Sequence, residues 1–414
     1  MTSTVALKRV AQVQYGLGQP PMISEDGIPI LRATNIARGK VTERGLLRAK
    51  LEDLPLKRAP LLAEGEILVV RSGAYTGDSA RITKQWVGSA PGYDLRVTPL
   101  SVESRYLAHA LLSTVVQDQI KLVSSRAAQP HLNAEELGEV EIWAPPLEEQ
   151  VRIADFLDAE TARIDAISRA HSNQVGLLAE RHRSWLSDLS TQLIGKYGSV
   201  RLRHVLMGIE QGWSPQCEDR LAGEGEWGVV KAGCVNGGTF DPLQHKRLPP
   251  ALESRREYQL LPGDLLMSRA SGSTELIGSV GIVPELNGQL LLLCDKVYRL
   301  NVDKTRGRAA FIAHMLRTHP VREHLKLGIS GAAGMANNLP TPVVKDCLIP
   351  DAPLAEQDSA IDQLTRTGEF VDRTQRALAR QLALLSERRQ ALITAAVTGQ
   401  FDISTASGRG VDTQ

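Results

Sequence analysis

A segment that begins at residue 146 returns 207 residues later, and this internal repeat constrains the fold more than any other feature of the chain. Residues 146–191 and 353–398 align without a gap and share 15 identities over 46 positions. Both copies begin with the pattern Pro-Leu-x-Glu-Gln. A repeat period near 200 residues is too long for a solenoid, so the chain contains two copies of a unit that combines a domain with a helix. We therefore expect the function to have two related halves.

Both copies of the repeat predict a long helix with a coiled-coil seam. Apolar residues recur every seven positions, a spacing that is typical of coiled coils. The seam positions are Leu157, Ile164, His171, Leu178 and Trp185 in the first copy, and Leu364, Val371, Leu378, Leu385 and Leu392 in the second. His171 is interpreted as a polar residue that sets the register of this seam.

Prolines and glycines predict where the two helices begin and end. Pro146 and Pro353 mark the starts, where a proline costs a helix little, and Gly195 and Gly399 are the predicted stops. Helices of about 45 residues would be about 65–70 Å long at 1.5 Å per residue. The chain is therefore divided into a first globular module at 1–145, a helical segment at 146–195, a second module at 196–350, a helical segment at 351–403 and a disordered tail at 404–414.

The two globular modules are also copies of each other, although they have diverged. Residues 5–10 resemble residues 200–205, and residues 65–72 resemble residues 263–270. The offset between the copies grows from 195 to 207 residues along the chain, which indicates insertions in the loops of the second module. The scaffold repeats while the loops diverge, as expected if the loops carry a specificity that differs between the halves.

Charge and composition favour a cytoplasmic protein with basic modules. The net charge is only +1. Residues 1–145 hold 17 basic against 15 acidic side chains and residues 196–350 hold 19 against 15, whereas both helical segments are acidic. A polyanion would be steered to the modules. The four cysteines lie far apart, which argues against a zinc ribbon or a disulfide framework, and no apolar run approaches the length of a membrane span.

No catalytic motif is found. The chain lacks the glycine-rich phosphate loop that ends in Lys and Ser or Thr, which argues against ATP binding. Residues 144–147 read Ala-Pro-Pro-Leu, where adenine methyltransferases need a polar residue and an aromatic ring. His314, His319 and His324 are five residues apart, so they do not share the helix face that a zinc pair uses. The sequence therefore predicts a binding protein without catalytic or metal-ligating residues.

Two variable modules, each followed by a Pro-Leu-x-Glu-Gln helix that contains Leu-Leu-x-Glu-Arg, resemble the specificity subunit of Type I restriction-modification enzymes. The resemblance covers nearly the whole chain, and residues 384–400 look like the distal conserved segment of that family. It implies an α+β fold with two mixed α/β target-recognition domains, related by internal duplication and separated by two long antiparallel coiled-coil helices.

The resemblance also implies a function in phage defence. The chain would be a non-catalytic subunit that reads a bipartite, asymmetric sequence in double-stranded DNA, with one domain for each half-site. Two methyltransferase subunits and two restriction subunits would dock on its helices and supply the chemistry. S-adenosylmethionine, ATP and Mg²⁺ are expected on those partners, and no cofactor is expected on this chain. The helices would act as a ruler between half-sites, because they cover about two turns of B-DNA.

Three polar loops in each module are the candidate DNA-reading sites, because each follows a β-like run and offers side-chain donors and acceptors. In the first module the candidates are Arg32, Thr34, Asn35, Arg71, Ser72, Tyr75, Thr76, Arg126, Gln129 and His131. In the second module they are Lys231, Asn236, Arg269, Ser271, Ser273, Thr274, Ser330, Asn337 and Asn338. Arg71 and Arg269 occupy one position of the repeat, which favours phosphate contact or a scaffold role. Arg126 is aligned with Gly331 in the second module and is the better candidate for base discrimination.

Candidate partner-binding residues lie on the repeated helices. They are Glu149, Gln150, Glu356, Gln357, Arg181 and Arg388. For the acidic residues the helix dipole offers an alternative explanation.

Two other functions remain open from the sequence alone. The main alternative is a coiled-coil adaptor that binds proteins through its two related modules. A stand-alone nuclease or methyltransferase would need motifs that the chain lacks.

Overall fold

The computed structural model describes residues 4–125, 130–330 and 337–401. The chain divides into two compact units. The first contains Met1–Ser172 and Leu378–Gln414, and the second contains Asn173–Ala377. Each unit therefore combines one of the two variable modules with parts of both repeated helices.

The secondary structure follows the internal repeat. The strands of the first unit are β1 Thr4–Ala6, β2 Ala11–Tyr15, β3 Ile28–Leu31, β4 Ile36–Ala37, β5 Lys40–Val41, β6 Leu47–Ala49, β7 Ile67–Val69, β8 Ser79–Arg81, β9 Ala90–Pro91, β10 Leu95–Pro99 and β11 Glu141–Trp143. Those of the second unit are β12 Ser199–Arg201, β13 Leu206–Gln211, β14 Trp227–Val230, β15 His245–Arg247, β16 Leu265–Ser268, β17 Ala270–Ser271, β18 Val280–Ile282, β19 Leu290–Leu292, β20 Val297–Val302, β21 Asn337–Asn338 and β22 Leu348–Pro350. The helices are α1 Ser104–Leu112, α2 Thr114–Ser124, α3 Ala134–Glu139, α4 Leu147–Tyr197, α5 Ala309–Met315, α6 His319–Leu327, α7 Thr341–Lys345 and α8 Leu354–Val397.

The sheets of the two units have matching strand orders. An antiparallel sheet runs β2-β10-β7-β8 in the first unit and β13-β20-β16-β18 in the second. A smaller mixed sheet runs β6-β3-β9 in the first and β15-β14-β19 in the second. The ends of each module pair with each other, with Val5 opposite Ile142 and Val200 opposite Ile349. The predicted internal duplication and the α+β fold class are confirmed.

The central strand of each larger sheet is apolar on both faces because both faces are buried. Ile67 and Val69 pack in a core with helix residues such as Tyr106, whereas Leu68 packs in a second core on the opposite face. The second unit divides Leu265 and Leu266 between two cores in the same way. The continuous apolar runs that the sequence repeats at 67–70 and 265–267 therefore correspond to strands between two layers.

In each unit, the module core includes residues from both long helices. Ile153 and Leu157 of α4 and Ile393 of α8 belong to the first core. Leu186 of α4 and Leu364 of α8 belong to the second. Each module is thus joined to its helices by shared apolar packing, in addition to the chain connection.

The observed helix ends correct one prediction. Both helices begin directly after the predicted prolines, whose carbonyl groups accept the amides of Glu149 and Glu356 at 2.9 Å. Gly399 has a φ of 69° just beyond α8, as a glycine stop requires. The predicted stop at Gly195 is wrong, because α4 continues to Tyr197. Gly198, with a φ of 80°, takes the left-handed conformation that ends the helix.

The predicted seam positions are buried or half-buried in both helices. Leu157, Ile164, Leu364 and Leu378 are the most buried of them, each less than 9% exposed. His171 is half-buried, and its Nδ1 atom has no hydrogen-bond partner among the described residues. A polar role for His171 in setting the register stays a prediction.

No helix in the described part of the chain is both long enough and apolar enough to cross a membrane. The proposed domain boundaries stay a prediction, and the tail at 404–414 lies outside the described residues.

Candidate nucleic-acid interface

The first two candidate loops of the first module meet at the carboxylate of Asp94, and the third is joined to the second loop. This side chain accepts a hydrogen bond from the backbone N–H of Arg71 in the second loop at 3.1 Å. It also accepts one from the backbone N–H of Ala33 in the first loop. The third loop is tied on at His131, whose Nδ1 lies 2.7 Å from the Ser72 hydroxyl oxygen. Loops that are far apart in sequence therefore form one surface.

Burial sets the protonation behaviour of Asp94. It raises the pKa of the carboxyl group above its usual range, and the two backbone donors, together with the positive charge of Arg71, lower it by less. A buried carboxylate is stable only when it is paired and hydrogen-bonded. The two loop amides supply those bonds, so the position of Asp94 and the conformation of the loops depend on each other.

The Arg71 side chain is held in a fixed position between two tyrosine rings. Its guanidinium carbon lies 4.6 Å from the ring centroid of Tyr15 and 4.6 Å from that of Tyr93. One guanidinium nitrogen is 3.2 Å from the Nε2 atom of His131. The two rings are partly exposed, at 36% and 49%. The arrangement presents a pre-ordered cation at the surface and limits its freedom to follow a base edge, which fits phosphate contact or a scaffold role.

The remaining candidates in the first module divide by exposure. Thr34, Tyr75 and His131 are exposed, whereas Arg32, Ser72 and Thr76 are half-buried. Asn35 is fully buried, and its amide group bonds to the backbone of Arg32, Thr42 and Arg44 at 3.0–3.1 Å. The prediction that Asn35 reads DNA is therefore wrong: Asn35 fixes the shape of the first loop. Arg126 and Gln129 lie outside the described residues.

The second module assembles its loops with the same backbone bonds. The amide of Leu339 donates to the carbonyl of Arg269 at 2.9 Å, as Leu132 does to Arg71 in the first module. Asn337 and Asn338 pair with Ser271 and Ala270 in the short sheet β17-β21. The first loop, residues 232–238, packs against β17. The described residues of the three predicted loops again lie together.

The candidates of the second module are more exposed than those of the first. The Arg269 Nε atom donates to the Tyr298 hydroxyl at 3.2 Å, and another guanidinium nitrogen donates to the carbonyl of Asp295 at 3.2 Å. Arg269 is therefore bound into the scaffold, as its repeated position suggested. The exposed candidates are Lys231, Asn236, Ser273, Thr274 and Ser330, and the half-buried ones are Ser271, Asn337 and Asn338.

Two predicted partner-binding residues, Gln150 and Gln357, are instead buried anchors between helix and module. Gln150 accepts the backbone N–H of Glu103 at 2.9 Å and donates to the carbonyl of Pro145 at 2.7 Å. Gln357 accepts the backbone N–H of Arg308 at 2.8 Å and donates to the carbonyl of Ala352 at 2.8 Å. Because the two side chains are only 4% and 3% exposed, they do not present a docking surface.

The other predicted partner-binding residues remain accessible. Arg181 and Arg388 are exposed on their helices, and Glu149 and Glu356 are half-buried. Glu356 lies 3.3 Å from the ammonium group of Lys196.

Sequence reasoning missed the residues that assemble the interface. Tyr15, Tyr93 and Asp94 carried no motif, because they come from two distant places along the chain and meet only through β2 and the turn before β10. It also missed Arg105 and Arg308, which bond to Asp155 at 2.7 Å and to Asp358 at 2.8 Å on the long helices. The repeat did offer a signal for these two ion pairs. Each arginine follows the last strand of the larger sheet in its module and lies about 50 residues before its aspartate partner.

No group of His, Cys, Asp or Glu side chains that could hold a metal ion occurs in residues 4–125, 130–330 and 337–401. The four cysteines are free. Burial raises the pKa of the Cys294 thiol to about 11, so this thiol is not a ready nucleophile.

We expect Arg71→Ala to lower DNA affinity through one module only. The substitution removes two cation–π contacts, each worth about 0.5–2 kcal/mol, so the free energy of unfolding should fall by about 1–3 kcal/mol. Arg71→Lys keeps the charge but loses the planar stacking, and should retain part of the affinity. Anisotropy titrations with duplex DNA measure the effect, and Arg9→Ala, at an exposed arginine without a described partner, is the control. Equal loss in Arg9→Ala would contradict a special role for Arg71.

The sequence of this chain is similar to those of known DNA specificity proteins. Residues 23–176, which include all three loops of the first module, match the Type I restriction modification DNA specificity domain. The specificity subunit of the Type I restriction enzyme StySPI from Salmonella potsdam is 23% identical over 396 residues, covering 92% of this chain and 83% of that protein. The chain is therefore similar to Type I specificity subunits along most of its length. The EcoKI specificity subunit from Escherichia coli K12 is 21% identical over 394 residues, with the same coverage of both chains.

Solved structures related to Type I specificity subunits share the fold. A chain from a structure that describes complex assembly and conformational transition of the type I R-M system has a TM-score of 0.72 at 17% identity, covering 96% of this chain and 98% of its own length. The HsdS subunit from Thermoanaerobacter tengcongensis has a TM-score of 0.51 at 18% identity, covering 96% and 97%. The predicted resemblance is confirmed, and it extends over both modules and both helices.

Proposed function

We propose that this specificity subunit is a non-catalytic DNA reader in which each module contacts one half of a bipartite, asymmetric sequence. The observation that carries the proposal is the repeated loop assembly. The same backbone bond joins the second and third loops of each module, from Leu132 to Arg71 and from Leu339 to Arg269. A shared scaffold that presents different side chains suits two half-sites that are related in placement but differ in sequence.

The side chains that differ between the modules are the candidates for base reading. Thr34 of the first module is aligned with Gly233, Ser72 with Ala270, and Tyr75 with Ser273. Hydroxyl and amide groups in such loops can bond to base edges in the major groove, whereas fixed cations such as Arg71 contact phosphates. Specificity is therefore assigned to the loop positions that the repeat does not preserve.

Two methyltransferase subunits and the restriction subunits are the proposed protein partners, and they would bind S-adenosylmethionine, ATP and Mg²⁺. The repeat supports two docking sites of one kind, because Glu180 and Arg181 recur as Glu387 and Arg388, and all four side chains are exposed. Two copies of the same partner could bind equivalent helix faces. The lengths of α4 and α8 would set the spacing between the two half-sites.

The proposal is tested by copurification and methylation sequencing. The chain is expressed with candidate methyltransferase subunits, the complex is isolated, and genomic DNA is sequenced for methylated bases. We expect a stable complex and one bipartite methylated motif that disappears when the gene for this chain is deleted. A motif that persists after the deletion would exclude a reading function. A complex that forms without any dependence of methylation on this chain would favour the coiled-coil adaptor.

A further inference from the structure

A two-residue turn in the first module carries an arginine where the second module has glycine. The turn joins β4 to β5 and consists of Arg38, with a φ of 43°, and Gly39, with a φ of 89°. L-residues with side chains rarely adopt a positive φ, whereas glycine does so freely. Among the described residues, the only other non-glycine position with positive φ is Asn287, and asparagine tolerates this conformation well.

The second module contains the same turn without a side chain. In the first module the amide of Thr42 donates to the carbonyl of Asn35 at 2.7 Å, and in the second the amide of Asp241 donates to the carbonyl of Cys234 at the same distance. The second pair lies 199 residues after the first along the chain. This offset aligns Arg38 with Gly237 and Gly39 with Gly238. These two glycines have φ values of 79° and 86°. The fold of this turn therefore does not require an arginine.

Local bonds hold Arg38 in this unfavourable conformation. Its backbone N–H lies 3.0 Å from each carboxylate oxygen of Asp78. The amide of Gly39 donates to the carbonyl of Ser79 at 2.9 Å. A strained residue that its surroundings hold in place is a reason to look for a function of its side chain.

The turn borders a basic groove within the first unit. The groove has a volume of about 850 Å³ and lies between the first two loops of the module and the parts of α4 and α8 that belong to this unit. Its charged lining consists of four cations and two carboxylates: Arg38, Lys40, Arg44, Arg389, Asp78 and Asp165.

The carboxylates of the groove are already engaged, and two of its cations are not. Asp165 pairs with Lys40 and lies 3.8 Å from the Arg389 guanidinium. The side chains of Arg38 and Arg44 are exposed and make no hydrogen bond or ion pair among the described residues. The groove therefore has an unbalanced positive charge at its module side, next to the exposed Thr34 and Tyr75.

We propose that this groove binds the phosphodiester backbone of the DNA, with Arg38 and Arg44 as its phosphate contacts. The proposal rests on the proposed function and deepens it. An open groove with two free guanidinium groups suits a chain of phosphates, because arginine forms paired hydrogen bonds with a phosphate group. Such contacts position the duplex and carry no sequence information. The neighbouring loops then read the bases of a DNA duplex that the phosphate contacts have already positioned.

Arg38→Gly distinguishes phosphate binding from a structural role of Arg38. A phosphate contact predicts weaker DNA binding without a loss of stability, whereas a structural role predicts a loss of stability. Glycine relieves the positive φ, so the unfolding temperature should stay the same or rise. Loss of one phosphate contact should weaken DNA binding about 8-fold at about 0.1 M salt and reduce the slope of log affinity against log salt by about 0.9. Arg44→Gln should act similarly, and the double variant should lose about twice that slope.

The experiment uses the full chain in complex with its methyltransferase subunits. Fluorescence anisotropy is measured with one labelled duplex that carries the methylated motif and one with the same base composition in scrambled order. Arg9→Gln, which removes an exposed arginine outside the groove, is the matched control and should leave affinity and slope unchanged. We expect Arg38→Gly to weaken binding to both duplexes by the same factor.

Two results would overturn the proposal, and they differ from failure of the proposed function. If the unaltered complex binds DNA and Arg38→Gly leaves both affinity and salt slope unchanged, the groove is not a phosphate site. If Arg38→Gly weakens binding to the motif alone, Arg38 reads bases and does not contact the backbone. If the unaltered complex binds neither duplex, the proposed function and this inference both fail.

Discussion

Exchanging residues 196–350 for the corresponding segment of a related specificity subunit will change one half of the methylated motif and leave the other half unchanged. The expected effect is all-or-none, because each wrong base pair costs about 1–3 kcal/mol and a half-site contains several base pairs. The original bipartite motif should therefore lose its methylation, and a hybrid motif should gain it. Methylation sequencing of the genome measures both changes in one experiment.

The structure gives a physical reason why the exchanged module should fold. Residues 199–201 pair with residues 348–350, so the chain enters and leaves the module side by side. The bonds from Gln357 reach the backbone of Arg308 and the carbonyl of Arg306, and backbone groups are present whatever the side chains of the new module. Attachment to the helix therefore tolerates a change of module sequence.

The reciprocal exchange is the control. Replacing residues 1–145, whose ends pair through β1 and β11, should alter the opposite half of the motif. Alteration of both halves by either exchange would refute the modular interpretation. Loss of all methylation with an intact complex would show that the modules do not read independently.

Gln150→Ala will destabilise the first unit, and Gln357→Ala will destabilise the second. The Gln150 substitution leaves the N–H of the half-buried Glu103 and the buried carbonyl of Pro145 without the partners that Gln150 supplies. An unsatisfied buried group costs about 1–3 kcal/mol, so the expected loss in the free energy of unfolding is about 2–4 kcal/mol for each variant. Hydrogen exchange of the full chain should show the lost protection near α1 for Gln150→Ala and near α5 for Gln357→Ala.

The chain supplies a matched control for these two variants. Gln174 and Gln381 also occupy one position of the helix repeat, but both are exposed, so their replacement by Ala should change neither stability nor exchange. Gln150 would instead be a docking residue if Gln150→Ala kept full stability and lost the methyltransferase subunits. That result would contradict the anchoring role that its burial assigns.

The repeat made the long helices predictable, but it did not reveal the role of its two repeated glutamines. The prolines, the heptads and Gly399 are local signals, and they located the helices closely. Gln150 and Gln357 looked like surface residues because glutamine in the first turn of a helix is usually exposed. Their partners, Glu103 and Arg308, lie about 50 residues earlier in the chain, and no periodicity in the helix could reveal them.

The candidate interface was predictable at the level of loops but not at the level of each side chain. The first two loops of each module follow strands of sheets that the repeat already indicated, whereas the third follows a helix, α2 or α6. The described residues of the third loop still bond to the second loop in both modules. Asn35 illustrates the limit. A polar residue in a turn predicts a solvent-exposed group, but its aligned counterpart Cys234 is also fully buried, so the position belongs to the interior of the loop.

The sequence by itself determined the duplication, the two long helices and the absence of recognised catalytic motifs, since these depend on local patterns and on comparison of the chain with itself. Its repeated motifs also gave the resemblance to Type I specificity subunits. Only the tertiary structure decided which polar residues face solvent and which hold loops together. It brought Tyr15, Arg71, Tyr93 and Asp94 to one place and turned two conserved glutamines of the repeat inward. The reason is that burial and hydrogen bonding depend on contacts between distant segments, which only the packing of sheets and helices creates.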